Sequence, residues 1–162
     1  MPVYIALGSN LGDSASTIER AFVELQKLSD RPIQQSSLWR STPVDCPPGS
    51  PNFINAVISL EPLEGETPES LLTKLQALEV EFGRISKEVL NEPRPLDLDI
   101  IAFGDEACET LQLTLPHPRW HQRRFVLEQL SEIAPNANLP GQSEPVIQLL
   151  AKLATTEALV RL

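Results

Sequence analysis

Two aspartates on one short segment are the first residues whose types and spacing suggest chemistry. Asp97 and Asp99 alternate with apolar residues in the run LDLDII, residues 96–101. In a β-strand this alternation places both carboxylates on one face, with Cα atoms about 7 Å apart. Such a pair suits Mg²⁺, which takes a few protein oxygens and completes its shell with water and phosphate. The alternative is two solvated aspartates on an edge strand, but aspartate is disfavoured in strands, which favours the metal site.

A second cluster, further along the chain, carries positive charge and imidazole. Residues 117–124 contain no acid and hold five such side chains: His117, Arg119, His121, Arg123 and Arg124. Arginine forks match phosphate oxygens, and histidine can donate to a bridging oxygen. Opposite a magnesium ion held by aspartates, the cluster would complete a polyphosphate clamp. The alternative is a basic surface loop that balances nearby acids.

The overall composition narrows the class of protein. The 162 residues carry a net charge of −9 and are 41% hydrophobic, which predicts one globular domain over 1–162. An acidic chain is a poor candidate for a broad nucleic-acid surface. No apolar run is long enough to span a membrane, no signal peptide is recognisable, and Cys46 and Cys108 have no CxxC spacing. We therefore expect a cytoplasmic protein, a monomer by default, that binds neither nucleic acid nor membrane.

The elements that must position these side chains follow from periodicity and capping residues. Residues 14–29 predict a helix with a capping box at Ser16–Glu19, and Thr67-Pro68-Glu69 predicts the start of a second helix that ends near Gly83. The other predicted elements are strands over 3–7, 33–40, 52–60, 96–103 and 111–115, and helices over 124–133 and from 144 or 145 to 154. The order predicts an α+β fold of the ferredoxin-like type: an antiparallel sheet with helices packed on one face and a C-terminal helical extension.

Alternation along two strands predicts which sheet face would carry a ligand. The even-numbered residues of 54–60 and of 96–102 are apolar and should fill the core. The odd-numbered positions then place Phe53 and Asn55 on the second, exposed face. An ordinary half-exposed sheet face is the alternative. Residues 8–12, GSNLG, lack the spacing and the lysine of a Walker A loop, so a nucleotide would need another scheme.

Three segments, in order along the chain, resemble the signatures of the 6-hydroxymethyl-7,8-dihydropterin pyrophosphokinase family. They are YIALGSNLGD at residues 4–13, PRPLDLDI at 93–100, and LPHPR followed by RRFVL within 115–127. The run EIAP at 132–135 is also similar to the family. The resemblance extends from about residue 3 to 150, and three matched motifs together are highly specific.

The resemblance implies an activity and a set of site residues. The family transfers pyrophosphate from ATP to the hydroxymethyl group of the pterin, releases AMP, serves folate biosynthesis and uses two Mg²⁺ ions. By motif position, Asp97 and Asp99 would hold both metals, with Arg94, His117 and Arg123 assisting catalysis. ATP would be surrounded by Gln76, Glu79, Arg84, Lys87, Ile100, His117 and Arg123. The pterin would stack between Phe125 and Phe53, with Asn55, Asp97 and the backbone of Ser41, Pro43 and Val44 at its edge.

The segment 86–92, SKEVLNE, departs from the family pattern because Lys87 is its only basic residue. In the family this loop closes over the bound substrates, so the departure keeps a second hypothesis open: a binding module that retains the two pockets but turns over poorly. A third hypothesis, an RNA partner held by residues 117–124, is disfavoured by the net charge of −9.

Overall fold

The computed structural model describes residues 1–41, 52–83, 95–153 and 159–162. The proline-rich segment 42–51 and the segment 84–94 lie outside the described residues, and with them Pro43, Val44, Arg84, Lys87 and Arg94. The described elements are β1 (Val3–Ser9), α1 (Ser14–Gln26), β2 (Gln34–Gln35), β3 (Trp39–Ser41), β4 (Phe53–Leu60), α2 (Pro68–Glu81), β5 (Asp97–Phe103), β6 (Cys108–Glu109), β7 (Thr114–Leu115), a 3-10 turn (Trp120–Gln122), α3 (Arg124–Ile133), α4 (Val146–Lys152) and β8 (Leu159–Arg161).

One antiparallel sheet organises the fold. Its strand order is β5-β1-β4-β3-β8, with β2 also paired to β4, and β6 and β7 form a separate hairpin. The central strand β1 pairs along its whole length with β4 and along most of it with β5. All residues of β1 except the half-buried Ala6 are buried, because helices cover both faces of the sheet beside it.

Helices lie on both faces of the sheet, which corrects the expectation of helices on one face. The first core cluster packs Ile5 and Ile58 of the sheet against Ile18 of α1 and Leu71 of α2. The second cluster packs Val57, from the opposite face, against Leu127 of α3. The expected exposed face is therefore only partly open, because α3 needs an apolar surface on which to bury its own apolar stripe.

A bulge in β5 corrects one predicted core position. Tyr4 pairs with Ala102 but Ile5 pairs with Ile100, so Ile101 is an extra residue on β5. An extra residue reverses the alternation beyond it. Ala102, expected in the first core with Leu98, therefore lies in the second cluster instead. The two aspartates precede the bulge, so their common face is unaffected.

The two long helices of the first face have well-defined starts. Thr67 caps α2 in a reciprocal capping box with Ser70, Pro68 occupies the first turn, and Gly83 follows the end with a positive φ of 104°. These features confirm the predicted start and end. For α1 the cap is Asp13, whose side chain accepts from the Ser16 N–H, instead of the predicted box at Ser16, and the helix ends at Gln26.

The predicted strand 33–40 is split where a side chain replaces a backbone group in the pairing with β4. The Ser36 hydroxyl accepts the Val57 N–H at 2.9 Å, the position that a backbone carbonyl would occupy in a regular ladder. The chain therefore forms β2 and β3 as separate short strands. Later in the chain, the predicted strand 111–115 is present only as the two residues of β7. The strand β8, which pairs with β3, was not predicted.

Candidate active site

A glycine lies between the two polar groups of the second sheet face. Gly8 of β1 pairs with Asp97 on one side and with Asn55 on the other, so the three residues lie side by side across the sheet. A Cβ atom at Gly8 would lie 3.4 Å from Phe53 Cδ1 and 3.5 Å from Asn55 Oδ1. The absent side chain leaves a flat floor bordered by a carboxylate, an amide and an aromatic ring. Sequence reasoning missed Gly8, although the alternation of β1 places Tyr4, Ala6 and Gly8 on this face.

The amide of Asn55 is held in one orientation. Its Nδ2 donates to Ser41 Oγ at 2.6 Å, and both residues are 4% exposed. Because Nδ2 is engaged by β3, Oδ1 is the atom on the Gly8 side. The side chain can therefore accept a hydrogen bond from an N–H group of a flat ligand above Gly8.

The two aspartates share a face, as predicted. Asp97 pairs with Gly8 and Asp99 with Ala6, and both aspartates are half-buried. Between them, the backbone N–H of Leu98 donates to Glu79 Oε2 at 2.9 Å. Because β5 is an edge strand, Glu79 supplies the acceptor that a further strand would otherwise provide.

The two α2 residues predicted beside ATP have different environments. Glu79 is 8% exposed and fixed against β5, whereas Gln76, one turn earlier, is exposed. Glu79 therefore acts on the strand that carries the aspartates, which spacing within α2 alone did not indicate. Ile100 is buried in the first core, on the face opposite to the aspartates, so only its backbone is available to a nucleotide.

His117 is held as a neutral hydrogen-bond donor. Its backbone N–H donates to the Ile101 carbonyl at 2.8 Å, and its Nδ1 accepts from the Arg119 N–H at 3.1 Å. Since Nδ1 is an acceptor, the ring proton is on Nε2. Burial, followed by the charges of Arg123 and Arg119, lowers the pKa of His117 from 6.5 to about 4, although Asp97 opposes the shift.

The start of α3 brings an arginine and an aromatic ring together. Arg123 is the residue before the helix, and its guanidinium carbon lies 5.8 Å from the centre of the Phe125 ring. The Phe125 side chain packs against the second core cluster, on the sheet face that carries Asn55. The structure thus places basic and aromatic side chains of the predicted site on that face together with the aspartates.

The donor set fits magnesium. Among the described residues, no group of three or more histidine, cysteine, aspartate or glutamate side chains is arranged to hold a metal. A pair of carboxylates leaves coordination positions for water and phosphate, as Mg²⁺ prefers, whereas a structural zinc site takes four protein ligands.

No helix in the described ranges is long and apolar enough to cross a membrane.

Comparison with known proteins gives a consistent result. A protein-family model described as 7,8-dihydro-6-hydroxymethylpterin-pyrophosphokinase (HPPK) matches residues 4–135. The 2-amino-4-hydroxy-6-hydroxymethyldihydropteridine pyrophosphokinase of Haemophilus influenzae is 37% identical over 93% of this chain and 92% of its own length. The protein of the same name from Synechocystis is 36% identical over 94% of this chain and 76% of its own length.

Solved structures support the fold. A crystal structure of wild-type Plasmodium falciparum HPPK-DHPS with SDX-DHP matches with a TM-score of 0.70 at 12% identity. The match covers 93% of this chain but only 44% of that chain, so this chain spans less than half of that longer protein. At such low identity the similarity shows a common fold.

Proposed function

The chain belongs to the 7,8-dihydro-6-hydroxymethylpterin-pyrophosphokinase family, and we propose that the side chains around Gly8 carry out the reaction of that family. The reaction transfers pyrophosphate from ATP to the hydroxymethyl group of 6-hydroxymethyl-7,8-dihydropterin, in folate biosynthesis, and AMP is released. The observation that carries the residue assignment is the row Asp97–Gly8–Asn55, in which a residue without a side chain lies between a carboxylate and an amide.

The pterin lies over Gly8 in this proposal. The Phe53 ring lies close to Gly8, and Phe125 is on the helix that covers the same face, so we assign stacking of the planar heterocycle to these two rings. Asn55, with its amide fixed by Ser41, accepts from a ring N–H. We assign the edge contacts to the backbone of Ser41, Pro43 and Val44. Asp97, which pairs with Gly8, would meet the hydroxymethyl group.

The triphosphate lies over the aspartates. Asp97 and Asp99 would hold two Mg²⁺ ions, which would supply neutralisation of phosphate charge and ordering of the triphosphate. At neutral pH, well above its pKa of about 4, the His117 ring is uncharged and donates a hydrogen bond from Nε2. Arg123 contributes the positive charge beside it. The other residues assigned to ATP are Gln76, Glu79, Arg84, Lys87 and Ile100, with Arg94 assisting catalysis.

The chemistry is an in-line displacement. The pterin hydroxyl oxygen forms a bond to the β-phosphorus, and the bond from that phosphorus to the α-bridging oxygen breaks. AMP leaves with that oxygen, and the proton of the attacking hydroxyl passes to water. The protein positions the reactants and donates hydrogen bonds to phosphate oxygens that gain charge. No side chain needs to act as a nucleophile.

A binding module that turns over poorly is the second candidate, because 86–92 has Lys87 as its only basic residue. The test is AMP release from ATP, Mg²⁺ and the reduced pterin, run beside calorimetry of each ligand. The proposal expects AMP to be formed only when both substrates are present. Binding of both ligands with no AMP above background would favour the binding module.

Four further expectations stay predictions. They are a single domain over 1–162, a monomer, a cytoplasmic location and the ferredoxin-like class of the fold. The strand order β5-β1-β4-β3, with β1 and β4 at the centre, supports the last of these.

A further inference from the structure

One carboxylate near the end of α3 accepts hydrogen bonds from the segment 37–39, which is distant in sequence. Glu132 Oε1 accepts from Trp39 Nε1 at 2.6 Å. Its Oε2 accepts from the Ser37 backbone N–H at 3.0 Å and from the Ser37 hydroxyl at 2.8 Å. Arg161 of β8 lies 3.9 Å from the same oxygen and donates from Nε to Ser37 Oγ at 3.1 Å.

These contacts keep Glu132 ionised. Burial alone would raise the pKa of its carboxyl group, but the Trp39 indole, the Ser37 N–H and hydroxyl, and the Arg161 charge together lower it below 4.5. Hydrogen bonds to an ionised carboxylate are shorter and stronger than those between neutral groups. The network therefore connects α3, the segment 37–39 and β8, at a position exposed to solvent.

Both sides of this connection lead to the pterin side of the proposed site. Trp39 pairs with Asn55, and Ser41, two residues further on, pairs with Phe53 and accepts the Asn55 amide. On the other side, α3 carries Phe125. The strand β3 has only three residues, so few backbone hydrogen bonds hold it in the sheet.

We propose that Glu132 is a positioning residue for the pterin, whose carboxylate fixes β3 relative to α3 and so sets the separation of the surfaces between which the ring binds. The inference rests on the proposed function, because it concerns the same site. Stacking on two sides requires a defined gap, and a displacement below 1 Å is enough to weaken it. The proposed metal ligands lie on β5, to which these contacts do not extend, so loss of the network should act on pterin binding and spare ATP.

The test compares kinetic constants for the two substrates in Glu132→Gln and Trp39→Phe. We expect the KM for the pterin to rise about tenfold in each variant, because small misplacements of bound groups have effects of that size. The KM for ATP should stay within about twofold. Because the two substitutions remove the same network, the double variant should be little worse than the more affected single variant. If Glu132→Gln fails to fold, Ser37→Ala, which removes one donor, provides the same comparison.

The matched control is Glu128→Gln. Glu128 lies one turn earlier on α3 and pairs locally with Arg124 at 3.3 Å. Labelling with 5-fluorotryptophan gives a ¹⁹F signal for each of the two tryptophans, and the signal lost in Trp39→Phe identifies Trp39. The Trp39 signal should shift in Glu132→Gln and stay in place in Glu128→Gln.

The outcomes separate this inference from the proposed function. A shifted Trp39 signal with an unchanged pterin KM would overturn the positioning role, and so would an equal rise in both KM values. If the wild-type protein binds both ligands but releases no AMP, the proposed function fails. Calorimetry then takes the place of kinetics: a pterin Kd raised about tenfold in Glu132→Gln alone would still support the positioning role, and an equal Kd would contradict it.

Discussion

Glu79 accepts the backbone N–H of Leu98 at 2.9 Å, directly between the two aspartates of β5. Glu79 belongs to α2 and is 8% exposed. Its carboxylate therefore lies at the outer edge of β5, on the side of the first core cluster. Backbone N–H and C=O groups that are unpaired on an edge strand otherwise form hydrogen bonds with water or with another chain. The contact gives Glu79 a role in holding the segment from which Asp97 and Asp99 project.

Removing the Glu79 acceptor should weaken both the fold and the proposed metal site. Glu79→Ala leaves the Leu98 N–H without its buried acceptor, which we expect to cost about 1–3 kcal/mol in the free energy of unfolding. The Mg²⁺ concentration for half-maximal activity should rise as well. Urea unfolding and a Mg²⁺ titration measure the two effects.

Two control variants show whether the effect of Glu79→Ala depends on the hydrogen bond to Leu98. Glu79→Gln keeps an amide oxygen that can accept from Leu98, so it should be clearly milder. Glu81→Ala changes an exposed acid on the same helix and should leave both quantities unchanged. Equal effects of Glu79→Ala and Glu81→Ala would show that the contact does not stabilise the strand.

The aspartates themselves should be essential for turnover. Asp97→Asn and Asp99→Asn each remove a charged oxygen ligand, and we expect the rate to fall by about 100-fold or more at saturating Mg²⁺. Asp105→Asn, an exposed acid in the turn after β5, is the matched control and should retain the wild-type rate. A near-wild-type rate in either β5 variant would refute the metal assignment.

His117 should remain neutral throughout the physiological pH range. Its pKa of about 4 results from burial and from the Arg123 and Arg119 charges. We expect the NMR titration of its ring to have a midpoint near that value and to move upward in Arg123→Gln. Arg124→Gln, the adjacent position, should leave the midpoint in place. A midpoint near 6.5 in the wild-type protein would contradict the neutral-donor role.

The same shift has a consequence for stability. The folded pKa of His117 lies below its ordinary value of 6.5, so the folded protein binds fewer protons than the unfolded chain between these values. The His117 contribution to stability is therefore complete above about pH 6.5 and declines as the pH falls towards about 4. In His117→Gln this part of the pH dependence should disappear from urea unfolding curves.

Filling the space over Gly8 should block the pterin. The nearest atoms to an added Cβ are at 3.4 Å and 3.5 Å, so Gly8→Ala fits the folded chain at little cost. Gly8→Val extends further over the gap, and we expect the pterin KM to rise about tenfold or more, with the ATP KM little changed. A graded loss from alanine to valine, at an unchanged melting temperature, is the expected pattern. An unchanged pterin KM in Gly8→Val would place the ring elsewhere.

Much of the fold was predictable because its signals are local. The alternation in β4 and β5, the capping residues of α2 and the apolar periodicity of α1 all act within a few residues, and the elements they predicted are present. The bulge at Ile101 and the Ser36 hydroxyl in the β4 ladder depend on partners in other strands. Local patterns do not encode such partners.

The candidate site also combines residues that local patterns predicted with contacts that they did not. Asp97 and Asp99 were recognisable because strand alternation makes a carboxylate pair from two nearby residues. The floor at Gly8, the Glu79 contact and the Glu132 network each join residues from elements that meet only in the folded chain. The motifs shared with the family located the segments, and the structure supplied the contacts between them.

The most direct test of the central claim follows the phosphorus atoms of ATP. Wild-type protein is incubated with the reduced pterin, Mg²⁺ and ATP labelled with ³²P at the α, β or γ position in separate reactions. Attack at the β-phosphorus predicts that β and γ label both appear in the pterin product and that α label appears in AMP. Transfer of γ label alone, with ADP formed, would contradict the account.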